Sequence, residues 1–499
     1  MNKSYESTRC SDLKTCASDA VLRGIADDGG LYVMRELDQK KIDVKNLQGK
    51  SYTDMAEIIL SEMLDDFPAE KIKECTAKAY TNKFSTDEIA PVVRAGDAYV
   101  TELFHGPTSA FKDVALSILP HLMTASYEMN GIDEEVVVLV ATSGDTGKAA
   151  LEGFRDVKGT KIAVFYPQGG VSRVQKAQME TQEGSNTYVC AIHGNFDDAQ
   201  TGVKKIFTDA VLAEELKGNN KIFSSANSIN IGRLVPQIVY YFYSYMKLIE
   251  SKAITVGEKI NFVVPTGNFG NILAGYYAKL LGLPVNKLIC ASNENNVLYD
   301  FIRTGVYDKN RQFYKTISPS MDILVSSNLE RLLYYMSGKN NEYVSSLMGQ
   351  LNSAGRYEVS GEMKDKINSE FYAACIFKDE TERTIKETFE KHGYLLDTHT
   401  AVAYRALENY RKETKDGTVS VVLSTASPYK FSGSVYEALY GASQKDEFEI
   451  MEELNKRTGV TVPENLKGLD KKEIRHTAVC EINEMKDYVR ERLIRRNYD

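Results

Sequence analysis

From Val136 onward the sequence repeats one unit, in which an apolar run, a polar turn and a helical stretch follow one another. The runs are rich in β-branched residues, as is typical of strands that are buried on both faces. They are predicted at Val136–Val140, Lys161–Phe165, Thr187–Ile192, Lys259–Val264 and Leu288–Ala291. Because strands that alternate with helices pair in parallel, the sequence predicts an α/β fold with mostly parallel sheets flanked by helices.

The other segments predict how a chain of 499 residues is divided. Helical patterns and turn signals predict a small N-terminal domain over residues 1–100. Residues 101–499 are expected to form a larger region of two α/β subdomains, with a helical elaboration at about 298–411. A single helix is expected over Asp197–Leu216. Thr418–Leu423 is expected to return to a strand, and the charged last fifty residues to form helices on the outside.

Composition and charge argue against several classes of protein. With 61 basic and 69 acidic residues, the chain has a net charge of -8, whereas a general nucleic-acid binder needs a basic face. The seven cysteines are odd in number and contain no CxxC pair, so neither a disulfide framework nor a metal site is expected. The first residues have no apolar signal-peptide core and no long apolar stretch follows, so we expect a cytoplasmic protein without a membrane span.

Lys112 lies at the end of a turn-rich segment, His105–Asp113, that leads into a helix. Thr108 or Ser109 is expected to N-cap this helix, and Pro120 is expected to kink it. The helix dipole and burial beside an apolar stripe both disfavour the ammonium form of Lys112 and favour the neutral amine that Schiff-base chemistry requires. On this fragment alone, an ordinary solvated helix lysine is the better interpretation, because lysines are common.

A glycine-containing loop joins the fourth strand to its helix, with the sequence Gly267-Asn268-Phe269-Gly270-Asn271. Two glycines allow a close approach of the backbone to a ligand, and N–H groups at a helix start attract an anion. The loop therefore predicts a phosphate site, and the absence of a Walker lysine argues against a nucleoside triphosphate. A simple strand-to-helix turn is the alternative.

A second polar loop follows the first strand, with the sequence Ser143-Gly144-Asp145-Thr146-Gly147. It places hydroxyl groups and backbone donors at a helix start, where a substrate carboxylate or phosphate is attracted. The alternative is that Thr142 or Ser143 only caps the helix.

A third polar segment, Asn227–Arg233, precedes a helix that is rich in tyrosine. Arginine offers a planar fork of donors that suits a doubly charged oxyanion, and asparagine adds a neutral donor. A surface arginine beside an asparagine turn is the alternative.

In their order and spacing, these segments resemble the threonine synthases of the long bacterial and fungal type. That family consists of pyridoxal phosphate (PLP) enzymes of fold type II, the tryptophan-synthase β-subunit fold. The segments that carry the resemblance are His105–Asp113, Ser143–Gly147, Asn227–Arg233, Gly267–Asn271 and Ser424–Phe431, together with Tyr5–Arg9, Gly29–Tyr32, Ser318–Ile323 and Asp397–Val402. The resemblance therefore covers nearly the whole chain.

The resemblance implies a reaction, the last step of threonine biosynthesis. O-phospho-L-homoserine and water would give L-threonine and phosphate, with Lys112 as the catalytic residue that carries PLP as a Schiff base and moves the substrate protons. The cofactor phosphate would be held by Gly267, Asn268, Phe269, Gly270 and Asn271, and the pyridine nitrogen by Thr425. The substrate phosphate would be bound by Arg233, with Asn230 and Ser228, and its carboxylate and amine would lie near Ser143, Asp145 and Thr146. A monomer or homodimer without nucleic-acid or membrane partners is expected.

The chain departs from the family pattern at three positions. Ser427 stands where histidine is usual, Ile231 where tryptophan is usual, and Cys10 where glycine is common. Two other functions fit much of the same pattern. A PLP-dependent serine or threonine dehydratase would need no second phosphate site, and a protein that had lost catalysis would bind the cofactor without turnover.

Overall fold

The structure, a computed structural model, describes residues 3–494, without the side chain of Asp197. Its strands are β1 Tyr5–Ser7, β2 Lys14–Thr15, β3 Tyr32–Met34, β4 Val92–Ala95, β5 Ala98–Glu102, β6 Glu135–Ala141, β7 Thr160–Pro167, β8 Thr187–His193, β9 Lys221–Ser224, β10 Ile260–Pro265, β11 Val285–Ser292, β12 Val306–Asp308, β13 Arg356–Glu358, β14 Phe371–Cys375, β15 Ser420–Ser424 and β16 Ala478–Glu481.

The helices lie between these strands. They are α1 Ala17–Arg23, α2 Tyr52–Met63, α3 Ala69–Tyr80, α4 Lys112–Leu116, α5 Leu119–Asn130, α6 Asp145–Phe154, α7 Arg173–Glu180, α8 Phe196–Phe207, α9 Ala210–Gly218, α10 Ile231–Leu234, α11 Ile238–Glu250, α12 Gly270–Leu280, α13 Val297–Thr304, α14 Leu329–Met336, α15 Asn341–Ala354, α16 Gly361–Glu370, α17 Lys378–His392, α18 Thr398–Thr414, α19 Ser432–Tyr440, α20 Glu447–Thr458 and α21 Met485–Val489. Among residues 3–494, none of the helices has the length and apolar character needed to cross a membrane.

Two mainly parallel sheets organise the larger part of the chain. The first has the strand order β14-β11-β10-β15-β5-β4, and its edge strand β4 runs antiparallel to β5. The second has the order β16-β8-β7-β6-β9, with every neighbouring pair parallel. The predicted α/β architecture with mostly parallel sheets flanked by helices is confirmed.

The strands are continuous apolar runs in the sequence because they are buried. Val136–Val140 in β6 and Ile260–Pro265 in β10 are buried throughout, as expected for strands covered by helices on both faces. Helix α18 covers one face of the first sheet and contacts β10, β11, β14 and β15. The N-terminal helices α1 and α3 pack against α5, and α2 packs against α11.

Four short strands join the two sheets at places where the sequence predicted no strand. Strands β4 and β5 belong to the first sheet, so the expected N-terminal unit over residues 1–100 extends too far. Strand β14 is an edge of the same sheet, so the segment 298–411 is not a purely helical elaboration. Strand β16 joins the second sheet, so the last fifty residues that the structure describes do more than wrap the outside. Each strand has only four or five residues, too few for a periodic pattern to separate it from a helix or loop.

Two expected helices are divided. The helix expected over Asp197–Leu216 is two helices, α8 and α9, because the Asp209 side chain accepts a hydrogen bond from Leu212 N and N-caps the second. The helix that follows Lys112 also ends early, at Leu116. Pro120 lies in the first turn of the next helix, so it begins a helix instead of kinking one.

Candidate active site

The five predicted loops lie at the carboxyl ends of neighbouring strands. In the first sheet, the consecutive strands β10, β15 and β5 lead to Gly267, Thr425 and the segment before Lys112. In the second sheet, the neighbours β6 and β9 lead to the loops that contain Asp145 and Arg233. Because parallel strands end at the same edge of a sheet, each sheet contributes a set of adjacent loops to one cleft.

Backbone pairing brings Lys112 and Thr425 together. Phe111 N donates to Thr425 O at 2.8 Å, and Ser427 N donates to Ser109 O at 3.1 Å. The two loops therefore run side by side just beyond the paired strands β5 and β15. Thr425 is 5% exposed, as expected for a group that binds inside the cleft.

The turn before Lys112 is held by Asp113 and not by the expected N-cap. The carboxylate of Asp113 accepts hydrogen bonds from Thr108 N at 2.8 Å and Thr108 Oγ1 at 2.5 Å. The predicted capping by Thr108 or Ser109 is wrong, because Phe111 occupies the N-cap position and Ser109 has a positive φ of 59°. Burial raises the pKa of Asp113 to about 6, against the lowering effect of its bonds from Thr108.

Lys112 is enclosed and its amine is poised to lose a proton. Its Nζ donates to Ser320 Oγ at 3.1 Å and lies 3.6 Å from Asp145 Oδ2. Burial lowers the pKa of Lys112 to about 8, and the cations of Lys430 and Arg233 add to this effect while Asp145 opposes it. About a tenth of this amine is therefore neutral at pH 7, far more than for an ordinary lysine, and the neutral form is the one that a nucleophile or a base requires.

Asp145, at the start of α6, is an ionised carboxylate inside the cleft. Its Oδ1 lies 3.0 Å from Lys430 Nζ and accepts from Gln175 Nε2 at 2.9 Å, and its Oδ2 accepts from Ser320 Oγ at 3.2 Å. Burial by itself raises the pKa of Asp145, but the cations of Lys430 and Lys112 hold it well below its usual range. The wholly buried Lys430 also donates to Thr108 O at 2.9 Å, so this pair connects the two sheets.

Ser320 is fixed by a second buried chain of hydrogen bonds. Its backbone N–H donates to His399 Nε2 at 3.1 Å, and His399 Nδ1 lies 3.0 Å from Asp397 Oδ1. Because Nε2 accepts, the proton of a neutral His399 resides on Nδ1 and points to Asp397. The hydroxyl of Ser320 is thereby held between Lys112 and Asp145.

The loop that begins at Gly267 has the conformation of an anion cradle. A Cβ atom on Gly267 would lie 2.6 Å from Ser320 O, so only glycine allows this approach. Phe269 has a positive φ of 64°, a strained state for a residue with a side chain, and its buried ring anchors the loop. Helix α12 begins at Gly270, and the first N–H groups of a helix have no partner within it.

Neighbouring side chains donate hydrogen bonds to the carbonyl groups of this loop. Ser326 Oγ donates to Gly267 O at 2.8 Å, and Asn328 Nδ2 donates to Asn268 O at 3.0 Å. The side chain of Asn271 donates to Pro265 O at 2.8 Å. With the carbonyls held in this way, the loop presents its N–H groups to a ligand.

These residues fit PLP. Ser320 contacts Lys112 through its hydroxyl and packs against Gly267 through its carbonyl, so the amine and the phosphate cradle lie on either side of one residue. Thr425 carries a neutral hydroxyl, and its backbone is bonded to the residue before Lys112. An aldehyde-reactive amine, an anion cradle and a neutral partner for a ring nitrogen are the three contacts that the cofactor needs.

A second site for an anion is centred on Arg233. The side chain is 5% exposed, and its Nη1 donates to Ala226 O at 2.7 Å. Among residues 3–494, Nε has no hydrogen-bond partner and no carboxylate forms an ion pair with this guanidinium. Burial lowers the pKa of Arg233 to about 10. A buried cation without a counter-ion calls for an anionic ligand, because isolated buried charges are costly.

The other residues expected around the substrate differ in whether their side chains are already engaged in the fold. Asn230 caps α10 through Gly232 N at 2.8 Å and donates to Val21 O at 2.9 Å, so its amide is committed to the fold. Thr142 Oγ1 accepts from Gly144 N and Gly147 N at 2.9 Å each. It thus provides the capping that was the alternative for that loop. The half-buried residues Ser143, Thr146 and Ser228 lie at the same loops.

Four residues of the site carried no predicted role, namely Ser320, Asn328, His399 and Lys430. Ser320 and His399 belong to segments that matched the family pattern, and Lys430 lies in the stretch after Thr425. That match was the available signal, but it named no contact. Asn328 had no such signal, although it joins Ser228 O, at 3.1 Å, to Asn268 O.

Three family profiles match the chain in succession. A profile described as "Threonine synthase N terminus" matches residues 4–80. One described as "Pyridoxal-phosphate dependent enzyme" matches residues 94–425, and "Threonine synthase, C-terminal" matches residues 400–489.

Individual proteins agree with these profiles. The chain is 36% identical to threonine synthase of Saccharomyces cerevisiae, over 94% of this chain and 96% of the relative. It is 39% identical to human threonine synthase-like 1 over 85% of this chain, but spans only 58% of that relative. The crystal structure of PLP-bound threonine synthase from Brucella melitensis has a TM-score of 0.86 at 37% identity, and that of the yeast enzyme has 0.87 at 34%. Each alignment covers 98% of this chain, with 98% and 99% of the respective neighbour.

Proposed function

The chain belongs to the threonine synthase family of PLP-dependent enzymes, and on this premise we propose that it converts O-phospho-L-homoserine and water into L-threonine and phosphate. One observation carries the choice of substrate. The buried guanidinium of Arg233, with an unpartnered Nε among the described residues, provides a second anion site in addition to the cradle at Gly267. A dehydratase acting on serine or threonine has no phosphate to place there.

The cofactor would be held by the residues of the first sheet. Lys112 would bind its aldehyde carbon, the loop Gly267–Asn271 its phosphate, and Thr425 its ring nitrogen. When bound, PLP supplies an electron sink for the carbanions that form next to the amino group. Because the Thr425 hydroxyl is neutral, it does not enforce protonation of the ring nitrogen as an aspartate would.

The substrate would be held by the residues of the second sheet. Arg233 would bind the phosphate of O-phospho-L-homoserine, with Ser228 beside it. The start of α6 would bind the carboxylate, where Ser143 and Thr146 offer hydroxyls and the helix offers free N–H groups. Asp145 would lie near the substrate amine, but it already accepts bonds from its neighbours on both oxygens. Its main contribution is to keep Lys430 and Lys112 in place.

Lys112 would move the protons. Its neutral amine takes the proton from Cα of the substrate and then one from Cβ, and the C–O bond at Cγ breaks as phosphate leaves. The two protons return to carbon, one to Cγ and one to Cα, while water adds its hydroxyl group to Cβ and its other proton goes to the released phosphate, which completes the conversion to threonine. The hydroxyl of Ser320, held by His399, keeps the Lys112 amine close to these atoms.

A direct assay tests the proposal. The purified, PLP-loaded protein is incubated with O-phospho-L-homoserine, and phosphate and threonine are measured together. We expect the two products in equal amounts, and we expect Lys112→Ala to lose both the activity and the visible absorption of the bound cofactor. Keto acid from serine or threonine without phosphate release would support the dehydratase, and a cofactor spectrum without turnover would support a non-catalytic protein.

We further propose that the protein works in the cytoplasm, as a monomer or homodimer. All seven cysteines are free thiols, which suits a reducing compartment. Fractionation of cells that produce the tagged protein, and sedimentation of the pure protein, test the two parts separately.

A further inference from the structure

A second cavity, of about 570 Å³, lies at the far ends of the helices that begin at the active site. Helix α4 starts with Lys112 and is followed by Ser117, which lines the cavity. Helix α6 starts with Asp145, and its last turn lines the cavity with Glu152 and Gly153. The remaining walls come from one face each of the helices α3 and α5 and from the loops that contain Lys83, Pro107 and Lys158.

Three of the four acidic groups of this cavity form ion pairs, and the fourth, Asp156, accepts hydrogen bonds from Ser185. Glu128 lies 2.5 Å from Lys71, and Glu74 lies 2.6 Å from Lys78. Glu152 lies 3.1 Å from the Arg155 guanidinium. The carboxylates on the walls therefore leave little net negative charge.

Three nitrogen groups of the lining remain without such partners. Among residues 3–494, Lys83 and Lys158 form no ion pair, and the buried Nε2 of His121 has no hydrogen-bond partner. Burial, with a smaller contribution from the cations of Lys83 and Lys78, lowers the pKa of His121 to about 4, so the ring is neutral at neutral pH. A buried polar atom such as His121 Nε2 is normally satisfied by a ligand or by water, whereas Lys83 and Lys158 are exposed lysines that line the same cavity.

We propose that this cavity binds a small polyanion, such as a phosphate ester or a polycarboxylate, through Lys83, Lys158 and His121. The site is separate from the proposed reaction centre and does not depend on the proposed reaction. The volume is sufficient for a small organic molecule.

Occupancy of the cavity is coupled to the active site through α4. Tyr80, at the end of α3, donates a hydrogen bond from its hydroxyl to Val114 O at 3.0 Å. Gly153 packs so tightly against the carbonyl of Leu116 that a Cβ atom would overlap it. A ligand that draws α3, α5 and the end of α6 together therefore restrains the helix that carries Lys112.

The binding is tested by calorimetric titration of the PLP-loaded Arg233→Ala protein, which lacks the proposed substrate-phosphate site. Citrate and pyrophosphate serve as separate probes, so that the polycarboxylate and phosphate classes are distinguished. We expect saturable binding of at least one probe with a stoichiometry of one, weakened at least about tenfold by Lys83→Glu. Lys83→Gln should weaken it less, in the same direction.

Lys73→Glu is the matched control, because Lys73 is an exposed lysine on α3, which forms a wall of the cavity, but does not itself line the cavity. We expect it to change the affinity by less than about twofold. Absence of saturable binding of both probes, or equal weakening by Lys73→Glu and Lys83→Glu, would overturn the proposal.

The coupling is tested by hydrogen exchange of the backbone amides of α4. The probe that binds should slow their exchange in the Arg233→Ala protein and have no effect after Lys83→Glu. Unchanged exchange with a bound probe would overturn the coupling. Failure of the protein to take up PLP would instead count against the proposed function, since the effect of Lys83→Glu is measurable in either form.

Discussion

The pKa of the Lys112 amine is set by its surroundings and differs from that of an ordinary lysine. Burial and two nearby cations, Lys430 and Arg233, lower the pKa of its amine to about 8, while Asp145 limits the change. Without Asp145, burial and the two cations would act unopposed, and Lys430 would lose its carboxylate partner. The carboxylate therefore stabilises a basic cluster whose other members favour a neutral lysine.

This environment predicts a pH dependence for cofactor capture. Only the neutral amine attacks the PLP aldehyde, and a pKa of about 8 means that the neutral form of Lys112 dominates above that pH. We expect the capture rate of cofactor-free protein, followed by absorbance, to rise about tenfold per pH unit below 8 and to level off above it.

The control for this profile is Arg233→Ala. It removes a cation that lowers the pKa of Lys112, so the midpoint should move to higher pH. A wild-type midpoint near the ordinary lysine value would contradict the burial of this amine.

Arg233→Ala should also separate substrate binding from cofactor binding. Loss of a buried charged partner costs about 2–5 kcal/mol, so O-phospho-L-homoserine should bind at least about thirtyfold more weakly, while PLP affinity changes little. Calorimetry of both ligands measures the difference, with Arg233→Lys as the variant that keeps the charge. Equal losses for the two ligands would remove Arg233 from the substrate phosphate.

The site residues that the sequence identified differ from those that it missed in how far along the chain their contacts lie. Lys112 lies at a helix start and Gly267 in a glycine turn, and each of these patterns is recognisable within a few positions of the sequence. Ser320 acquires its role only from Lys112, which lies 208 positions away, and Lys430 from Thr108, 322 positions away. Such contacts are products of the tertiary fold, and no local pattern encodes them.

Among the helices and strands, the order of the strands decides which loops meet. The loops after β10, β15 and β5 are neighbours because these strands are neighbours, and the loops after β6 and β9 meet for the same reason. Strands with long buried runs, such as β6 and β10, were predicted within one residue at each end. The short strands β14 and β16 were missed, because their pairing with the sheets is set by partners far along the chain.

The close packing of α6 on α4 gives a test at one glycine. A Cβ atom at Gly153 would overlap the backbone carbonyl of Leu116, which cannot rotate away as a side chain can. We expect Gly153→Ala to destabilise the protein by about 1–3 kcal/mol, because overpacking forces backbone shifts. It should also slow cofactor capture, because α4 carries Lys112.

Gly349→Ala is the matched control. Gly349 lies inside helix α15, and a Cβ atom there would meet nothing within 4 Å. Alanine is the better helix former, so this variant should gain about 0.5–1 kcal/mol. Urea unfolding of both variants measures the contrast, and a loss of similar size in both would show that the overlap at Gly153 is unimportant.

In the whole molecule, the N-terminal segment is part of the support of the active site. The carboxylate of Glu330 accepts two hydrogen bonds from Arg9 and one from Thr8, which tie the first strand region to α14. The next residue, Arg331, continues this connection into the centre of the protein. The division into an N-terminal unit and a larger region stays a prediction, and the two parts share one set of buried polar contacts.

Arg331 is the residue through which the N-terminal segment and both ligand loops are joined. It is fully buried and donates to Tyr32 O at 2.9 Å, to Ile229 O at 2.6 Å and to the side chain of Asn328. Asn328 in turn holds the carbonyl of Asn268 in the phosphate cradle. One guanidinium therefore positions the loop near Arg233, the cofactor loop and the strand β3.

We expect Arg331→Met to weaken the binding of PLP and of O-phospho-L-homoserine together, unlike Arg233→Ala. Each buried acceptor left without a donor costs about 1–3 kcal/mol, so the free energy of unfolding should fall by more than about 2 kcal/mol. Arg303→Met, at a half-exposed arginine 3.9 Å from Glu413, should change it by less than about 0.5 kcal/mol. Denaturant unfolding and calorimetry of both ligands test this prediction. An Arg331→Met protein with normal cofactor affinity would show that the cradle is held without this arginine.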